Sequence, residues 1–153
     1  MQSFGVKFTV IFIALISIAY GLNHACWSVD RIADEIIKRA DTDADGIITF
    51  YEFQVELMHD WDLSNGSCLP YHEFTRNWIE KFHDHHDTAH AFYNSLVISG
   101  ADHLCILDVA SHVSQYDTNP KDGQIEPAEL RSFMHDVHPD SHQNGGHGHG
   151  HGC

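Results

Sequence analysis

The sequence predicts a mainly α-helical domain built from a repeated helix–loop–helix unit, followed by a short segment without a fold of its own. Three observations carry that prediction. Apolar residues recur at three- and four-residue spacings along most of the chain, and no alternating apolar–polar run is long enough for a useful strand. The chain also resembles itself at a constant offset of 56 residues. From His138 onward, almost no residue could enter a core.

The first 21 residues stand apart from the domain. Lys7 is the sole charge before Asp30, and the apolar run Phe8 to Ala19 follows it directly. Twelve residues are short for a membrane span, which needs roughly 20. A basic start, an apolar centre and the small-residue end Ala19-Tyr20-Gly21 fit a secretory signal peptide, with cleavage expected after Gly21 or, second, after Ala25. A retained membrane anchor is the alternative, and the shortness of the run argues against it. The remaining chain, from residue 22, is of single-domain length. It holds seven of the eight Lys and Arg and all 22 Asp and Glu, a net charge of −15. Such a surface repels nucleic acid and attracts cations or basic partners.

The first helix is expected from Ser28, a natural N-cap, with Val29, Ile32, Ala33, Ile36, Ile37 and Ala40 on one face. A second, from about Phe50 to Trp61, carries Phe50, Phe53, Leu57 and Trp61. A third, after the turn-rich Ser64-Asn65-Gly66-Ser67, carries Phe74, Trp78 and Phe82. Then the pattern starts again. Ala33, Ile37 and Ala40 are matched 56 residues later by Ala89, Tyr93 and Leu96. Ile48, Glu52 and Phe53 are matched by Leu104, Asp108 and Val109, and Leu69, Glu73 and Phe74 by Ile125, Glu129 and Leu130. Apolar matching apolar and acid matching acid, with no gap, favours an internal duplication.

The segment Asp41 to Glu52 has the composition of a hard-cation loop. A calcium ion takes six to eight oxygens at about 2.3–2.6 Å. Carboxylates of Asp41, Asp43 and Asp45 converge if the chain turns after them, and Gly46 provides the turn. Ile47 would offer a backbone carbonyl, Thr49 a ligand directly or through water, and Glu52 both oxygens from the start of the next helix. Ile48 is expected to point inward. Apolar residues eight, four and one positions before Asp41 complete the pattern. This segment resembles the EF-hand family over its full 12-residue loop. The resemblance implies a helix–loop–helix calcium site and short β-bridges between paired loops.

Three further loops occupy the related positions. Asp62 to Glu73 keeps the first and last acids but has Ser64, Gly66 and Ser67 where ligands and the glycine belong, so tight calcium binding is not expected there. Val97 to Asp108 keeps Leu104 and a closing Asp108 and reads as structural. Asp117 to Glu129 is a variant with one inserted residue, placed at Pro120-Lys121. Asp117, Asn119, Asp122, Gln124 and Glu129 are its candidate calcium ligands. The first two loops begin only 21 residues apart, so the helix between them must serve both, and they cannot bridge each other. The pairing expected instead joins loop one to loop three and loop two to loop four.

Four cysteines remain after residue 22: Cys26, Cys68, Cys105 and Cys153. They allow two disulfides in three connectivities. Cys68 and Cys105 both fall in loops, which makes a bridge between them feasible, while the terminal Cys153 could equally join another molecule. None forms a C-x-x-C pair. The chain has 15 histidines. His147, His149 and His151, alternating with glycine in the tail 138–153, form a flexible imidazole array suited to Zn²⁺ or Cu²⁺. His86 and His90, four apart, share one helical face and suit the same ions. Nothing in the sequence assembles a catalytic site, so the expected class is a binding protein and not an enzyme.

The reading is therefore a secreted, extracellular, acidic calcium-binding protein of residues 22–137 with a His/Gly-rich tail. Its architecture also resembles the EF-hand proteins of molluscan shell matrices. That implies calcium ions or a carbonate mineral surface as partners, together with extracellular matrix proteins, and no nucleic acid or membrane after signal cleavage. The alternatives are a secreted Zn²⁺ or Cu²⁺ carrier acting through the tail, and a calcium-dependent protein-interaction module.

Overall fold

The computed structural model describes residues 26–60, 68–98, 101–118 and 120–142. The signal-peptide expectation, Asp62 to Ser67, Asn119 and the histidines of the tail beyond residue 142 lie outside them. Among the described residues there are six α-helices: α1 (Val29–Ala40), α2 (Phe50–Asp60), α3 (Tyr71–Phe82), α4 (His86–Leu96), α5 (Ile106–Val113) and α6 (Pro127–Val137). Four strands of two or three residues lie between them: β1 (Ile48–Thr49), β2 (Cys68–Pro70), β3 (His103–Cys105) and β4 (Gln124–Ile125). No described helix is long and apolar enough to cross a membrane.

Local rules set the ends of the helices. Ser28 caps α1 by accepting from the Arg31 N–H at 3.3 Å, and the first loop starts at the C-cap, Asp41. Pro127 opens α6 at a position where no amide donor is needed. The face of α1 predicted from spacing is the buried one, with Ile32, Ala33 and Ala40 fully enclosed.

The duplication is visible in the element boundaries. Moving the starts of α2 and α3 forward by 56 residues lands on the starts of α5 and α6, and the end of α1 lands on the end of α4. The strand register obeys the same operation. Ile48 faces Ile125 and Thr49 faces Gln124 across β1–β4. Adding 56 to the first member of each pair and subtracting it from the second gives Leu104 facing Leu69 and Cys105 facing Cys68, the register of β2–β3.

The sheets correct the expected loop pairing. Loop one pairs with loop four, and loop two with loop three. The reason lies in the shared helices. α2 leads from loop one to loop two, α5 leads from loop three to loop four, and the two helices touch. When such helices run antiparallel, the start of one meets the end of the other. That joins one to four and two to three. A one-to-three pairing would need them parallel.

Packing follows the same symmetry: α1 lies on α6 and α3 on α4. The core is asymmetric in kind. Phe74, Trp78, Phe82, Phe92 and Tyr93 form an aromatic cluster on α3 and α4, with Trp78 and Phe92 ring centres 4.6 Å apart. The α6 counterparts of Phe74 and Trp78 are Leu130 and Met134. Each enclosed side chain of this kind contributes about 1.5–3 kcal/mol.

The tail begins later than composition indicates. His138 is fully buried, its Nε2 3.1 Å from Asp84 Oδ2, and that oxygen also accepts from Trp78 Nε1 at 2.7 Å. A buried, paired imidazole is a core residue, which composition cannot signal. The 3₁₀ turn Pro139–His142 then packs on α4. Cys68 and Cys105 form a disulfide, and Cys26 is disulfide-bonded as well.

Candidate metal centre

Loop one is folded by its own aspartates. Asp41 accepts from the Asp45 N–H through Oδ1 and from the Gly46 N–H through Oδ2, both at 3.1 Å. Asp43 Oδ1 accepts from the Asp45 N–H at 3.2 Å, and Asp45 Oδ1 from the Ile47 N–H at 2.8 Å. These bonds need a sharp reversal. Ala44 (φ +59°) and Gly46 (φ +85°) both lie in the left-handed region to make it. The outcome is that Asp41, Asp43 and Asp45 each bring a carboxylate oxygen within 4.8 Å of the other two. Two oxygens on one calcium ion at about 2.4 Å can be no further apart than about twice that length. The spacing therefore fits a shared ion.

Glu52 closes the loop from the first turn of α2. Its Oε2 accepts from the Thr49 backbone N–H at 2.9 Å and hydroxyl at 2.8 Å. Its Oε1 accepts from the Thr42 N–H at 3.1 Å and hydroxyl at 2.9 Å. The Glu52 N–H returns to Thr49 Oγ1 at 3.2 Å. One buried carboxylate thus ties the entry and exit of the loop together. Four donors favour its ionised form, led by the Thr49 N–H, and hold its pKa down to about 2. Through these bonds Thr49 also positions Glu52. The Ile47 N–H serves the Asp45 turn, and Ile48 is fully buried as expected.

Loop four repeats this scaffold despite its extra residue. Asp117 accepts from the Asp122 N–H at 3.1 Å and the Gly123 N–H at 2.8 Å, as Asp41 does from Asp45 and Gly46. Asp122 Oδ1 accepts from the Gln124 N–H at 3.0 Å, and Gly123 has φ +83°. Glu129 is buried and accepts from the Thr118 N–H at 2.8 Å and the Glu126 N–H at 3.3 Å. The insertion is absorbed between Thr118 and Asp122, where it was expected. Lys121 is exposed and points its charge at solvent.

Two features of these loops take on a role only in the structure. A threonine follows the first aspartate in both, Thr42 and Thr118, and each anchors the closing glutamate. Its recurrence in the two loops was the available signal. The second is Glu126, which stands where loop one has Thr49. The hydrogen bond with Glu129, and then burial, raise its pKa above the ordinary value. Its Oε2 is buried without a hydrogen-bond partner. Loop four therefore carries one carboxylate more at this position than loop one.

The other two loops have no such arrangement among the described residues. Asp108, the counterpart of Glu52, accepts from the Cys105 N–H at 3.0 Å and caps α5. At the register position of Thr49 and Gln124 the chain instead has the Cys68–Cys105 bridge. The expected His147–His149–His151 array falls outside the described residues.

A family model described as EF hand matches residues 32–58 and 114–134, the stretches that hold loops one and four. No curated protein and no solved structure matches the chain.

Proposed function

We propose, from the chain's membership of the EF-hand calcium-binding family, that it works outside the cell as an acidic calcium-binding protein of an organic matrix. The observation that carries the calcium reading is the convergence of Asp41, Asp43 and Asp45. These are hard oxygen donors, and Glu52 stands ready in its ionised form. Asp41, Asp43, Asp45, Glu52, the carbonyl of Ile47 and Thr49, directly or through water, would hold the ion in loop one. Asp117, Asn119, Asp122, Gln124 and Glu129 would hold it in loop four. Bound calcium supplies positive charge between carboxylates that otherwise repel, and so fixes α1 to α2 and α5 to α6.

The extracellular setting is supported by the apolar leader after Lys7 and by cysteines engaged in disulfides, which persist in oxidising compartments. Extracellular sites of this type bind at roughly 10⁻⁴–10⁻³ M, which suits a calcium-rich fluid or a carbonate mineral. The net charge of −15 beyond residue 21 adds diffuse attraction for the same ions.

Calcium calorimetry on the chain from residue 22, with Glu52→Gln and Glu129→Gln variants, counts and assigns the sites. Two transitions are expected, each removed by one variant. Absence of any binding heat, or a Glu52→Gln protein that titrates like the parent, would sink the reading. Secretion is tested separately by sequencing the N-terminus of protein recovered from the medium. Protein found only inside the cells would refute it, and a start at residue 1 would refute cleavage of the leader.

A further inference from the structure

We propose that Glu126 is itself a ligand of the ion in loop four, its carboxylate reaching the metal directly where loops of this kind often use a water. This deepens the calcium reading and rests on it.

The two closing glutamates are seated alike and partnered differently. In loop one the Thr49 hydroxyl accepts from the Glu52 N–H at 3.2 Å and donates to Glu52 Oε2 at 2.8 Å. One small group thus caps the start of α2 and hands a hydrogen to the closing carboxylate. Loop four has Glu126 in that place, and it keeps the first task. Its side chain accepts from the Glu129 N–H, and Glu129 Oε2 accepts from the Glu126 N–H at 3.3 Å, so the two residues cap α6 reciprocally. The second task is closed to it, because an ionised carboxylate offers acceptors and no donor.

The cap leaves an oxygen over. Glu126 Oε2 is buried and has no hydrogen-bond partner among the described residues, so capping falls to Oε1. A buried, charged acceptor without a donor is costly, and native structures rarely keep one without a reason. The charges that reach Glu126, from Glu129 and Asp122, are of its own sign. Lys121, the one basic residue of the loop, is exposed. A hard cation that accepts six to eight oxygens satisfies the stranded oxygen and neutralises its neighbours at once. In related loops the residue at this place often reaches calcium through a water. A carboxylate has the length to reach the ion in its stead, and the reciprocal cap fixes it before the ion arrives. Loop four then holds its ion with about one bound water fewer than a loop that relies on the water.

Europium(III), a hard ion that takes calcium's place, reports the number of bound waters through its luminescence lifetimes in H₂O and D₂O. The Glu52→Gln protein directs one equivalent of it to loop four. Adding Glu126→Thr, which installs the residue of loop one and keeps a capping oxygen, should raise the count by about one water. Glu126→Ser should do the same. In calorimetry either change should weaken calcium at loop four by about tenfold and leave the loop-one transition of the otherwise unaltered protein where it was. Helical circular dichroism in chelator should be retained, since the cap survives. A residue that only caps α6 predicts an unchanged water count and an unchanged affinity, and that result with an ion bound overturns the proposal alone. If the Glu52→Gln protein binds neither europium nor calcium, the calcium reading of loop four fails and takes the proposal with it.

Discussion

The two ends of the α2–α5 pair use one backbone joint and two chemistries. At one end β1 and β4 bring loops one and four together, with aspartates gathered for an ion. At the other, β2 and β3 join loops two and three in the symmetry-related register, and Cys68 and Cys105 occupy the places of Gln124 and Thr49. A covalent bond closes the second joint whatever the cation concentration. That end has no need of ligand-bearing side chains, and its loops have drifted from the calcium pattern while the backbone geometry stayed. The packing differs to match. Aromatic rings fill the space between α3 and α4 behind the disulfide, whereas α6 presents Leu130 and Met134 at the matching sites. Among the described residues, the gathered aspartates thus lie at one end of a molecule built from a repeated unit.

The largest effect expected from breaking this division is loss of the covalent end. Cys68→Ser/Cys105→Ser releases a closure over 37 residues, which by loop entropy should cost roughly 3–4 kcal/mol. Urea unfolding should show that loss with calcium present as well as with a chelator. If calcium restored the full stability, the two ends would not be separate. Next comes the ionic end. Glu52→Gln removes a charged, two-oxygen ligand and should weaken calcium at loop one by roughly 100-fold, or about 2.7 kcal/mol. Glu129→Gln should act on the second transition alone. Both are read by calorimetry. Equal weakening of both transitions by one variant would show that loops one and four bind as a unit.

Much of this was legible in the sequence because the signals are local. The capping serine, the helical faces of α1 and α3, the turn at Gly46 and the insertion at Pro120-Lys121 each depend on a few neighbouring residues. The repeat offset was legible too, and the strand registers obey it. Loop pairing was not, because it depends on how α2 and α5 lie against each other, and no residue pattern states an orientation. His138 was hidden for a related reason: a histidine next to Pro139 reads as tail until Asp84 and Trp78 are seen to enclose it. The role of Glu126 was not legible either, because it depends on a neighbour. Its closeness to Glu129 appears only after the helix start is built.

A smaller effect separates backbone from side chain within the calcium end. Gly46 and Gly123 have φ values of +85° and +83°, and a methyl group at either would meet nothing within 4 Å. Gly46→Ala should therefore lose only the cost of left-handed backbone, about 1–2 kcal/mol. Gly123→Ala should lose the same, since the two turns coincide. Thermal unfolding of both variants with calcium checks this. A much larger loss at Gly123 would mean that the 13-residue loop tolerates strain less well than its 12-residue partner.

The smallest expected effect is on pH dependence without metal, and it distinguishes the two loops of the calcium end. Glu52 has its folded pKa depressed to about 2 from an ordinary 4.5. Its contribution is thus complete above about 4.5 and is lost as pH falls toward 2. Glu126 is shifted the other way, by its bond to Glu129 and then by burial. Its protonated form suits the fold, so its contribution is present below 4.5 and is lost as pH rises through its raised pKa. Loop one should firm up as pH climbs from 2 to 4.5, while loop four loosens above that range until an ion takes the place of the proton. Carboxyl carbon NMR in chelator should resolve the two titrations on opposite sides of 4.5. Glu126→Gln should flatten the upper one and leave the lower unchanged. Coincident titrations would mean that Glu52 and Glu126 share one environment, and the extra acid of loop four would then have no consequence before calcium arrives.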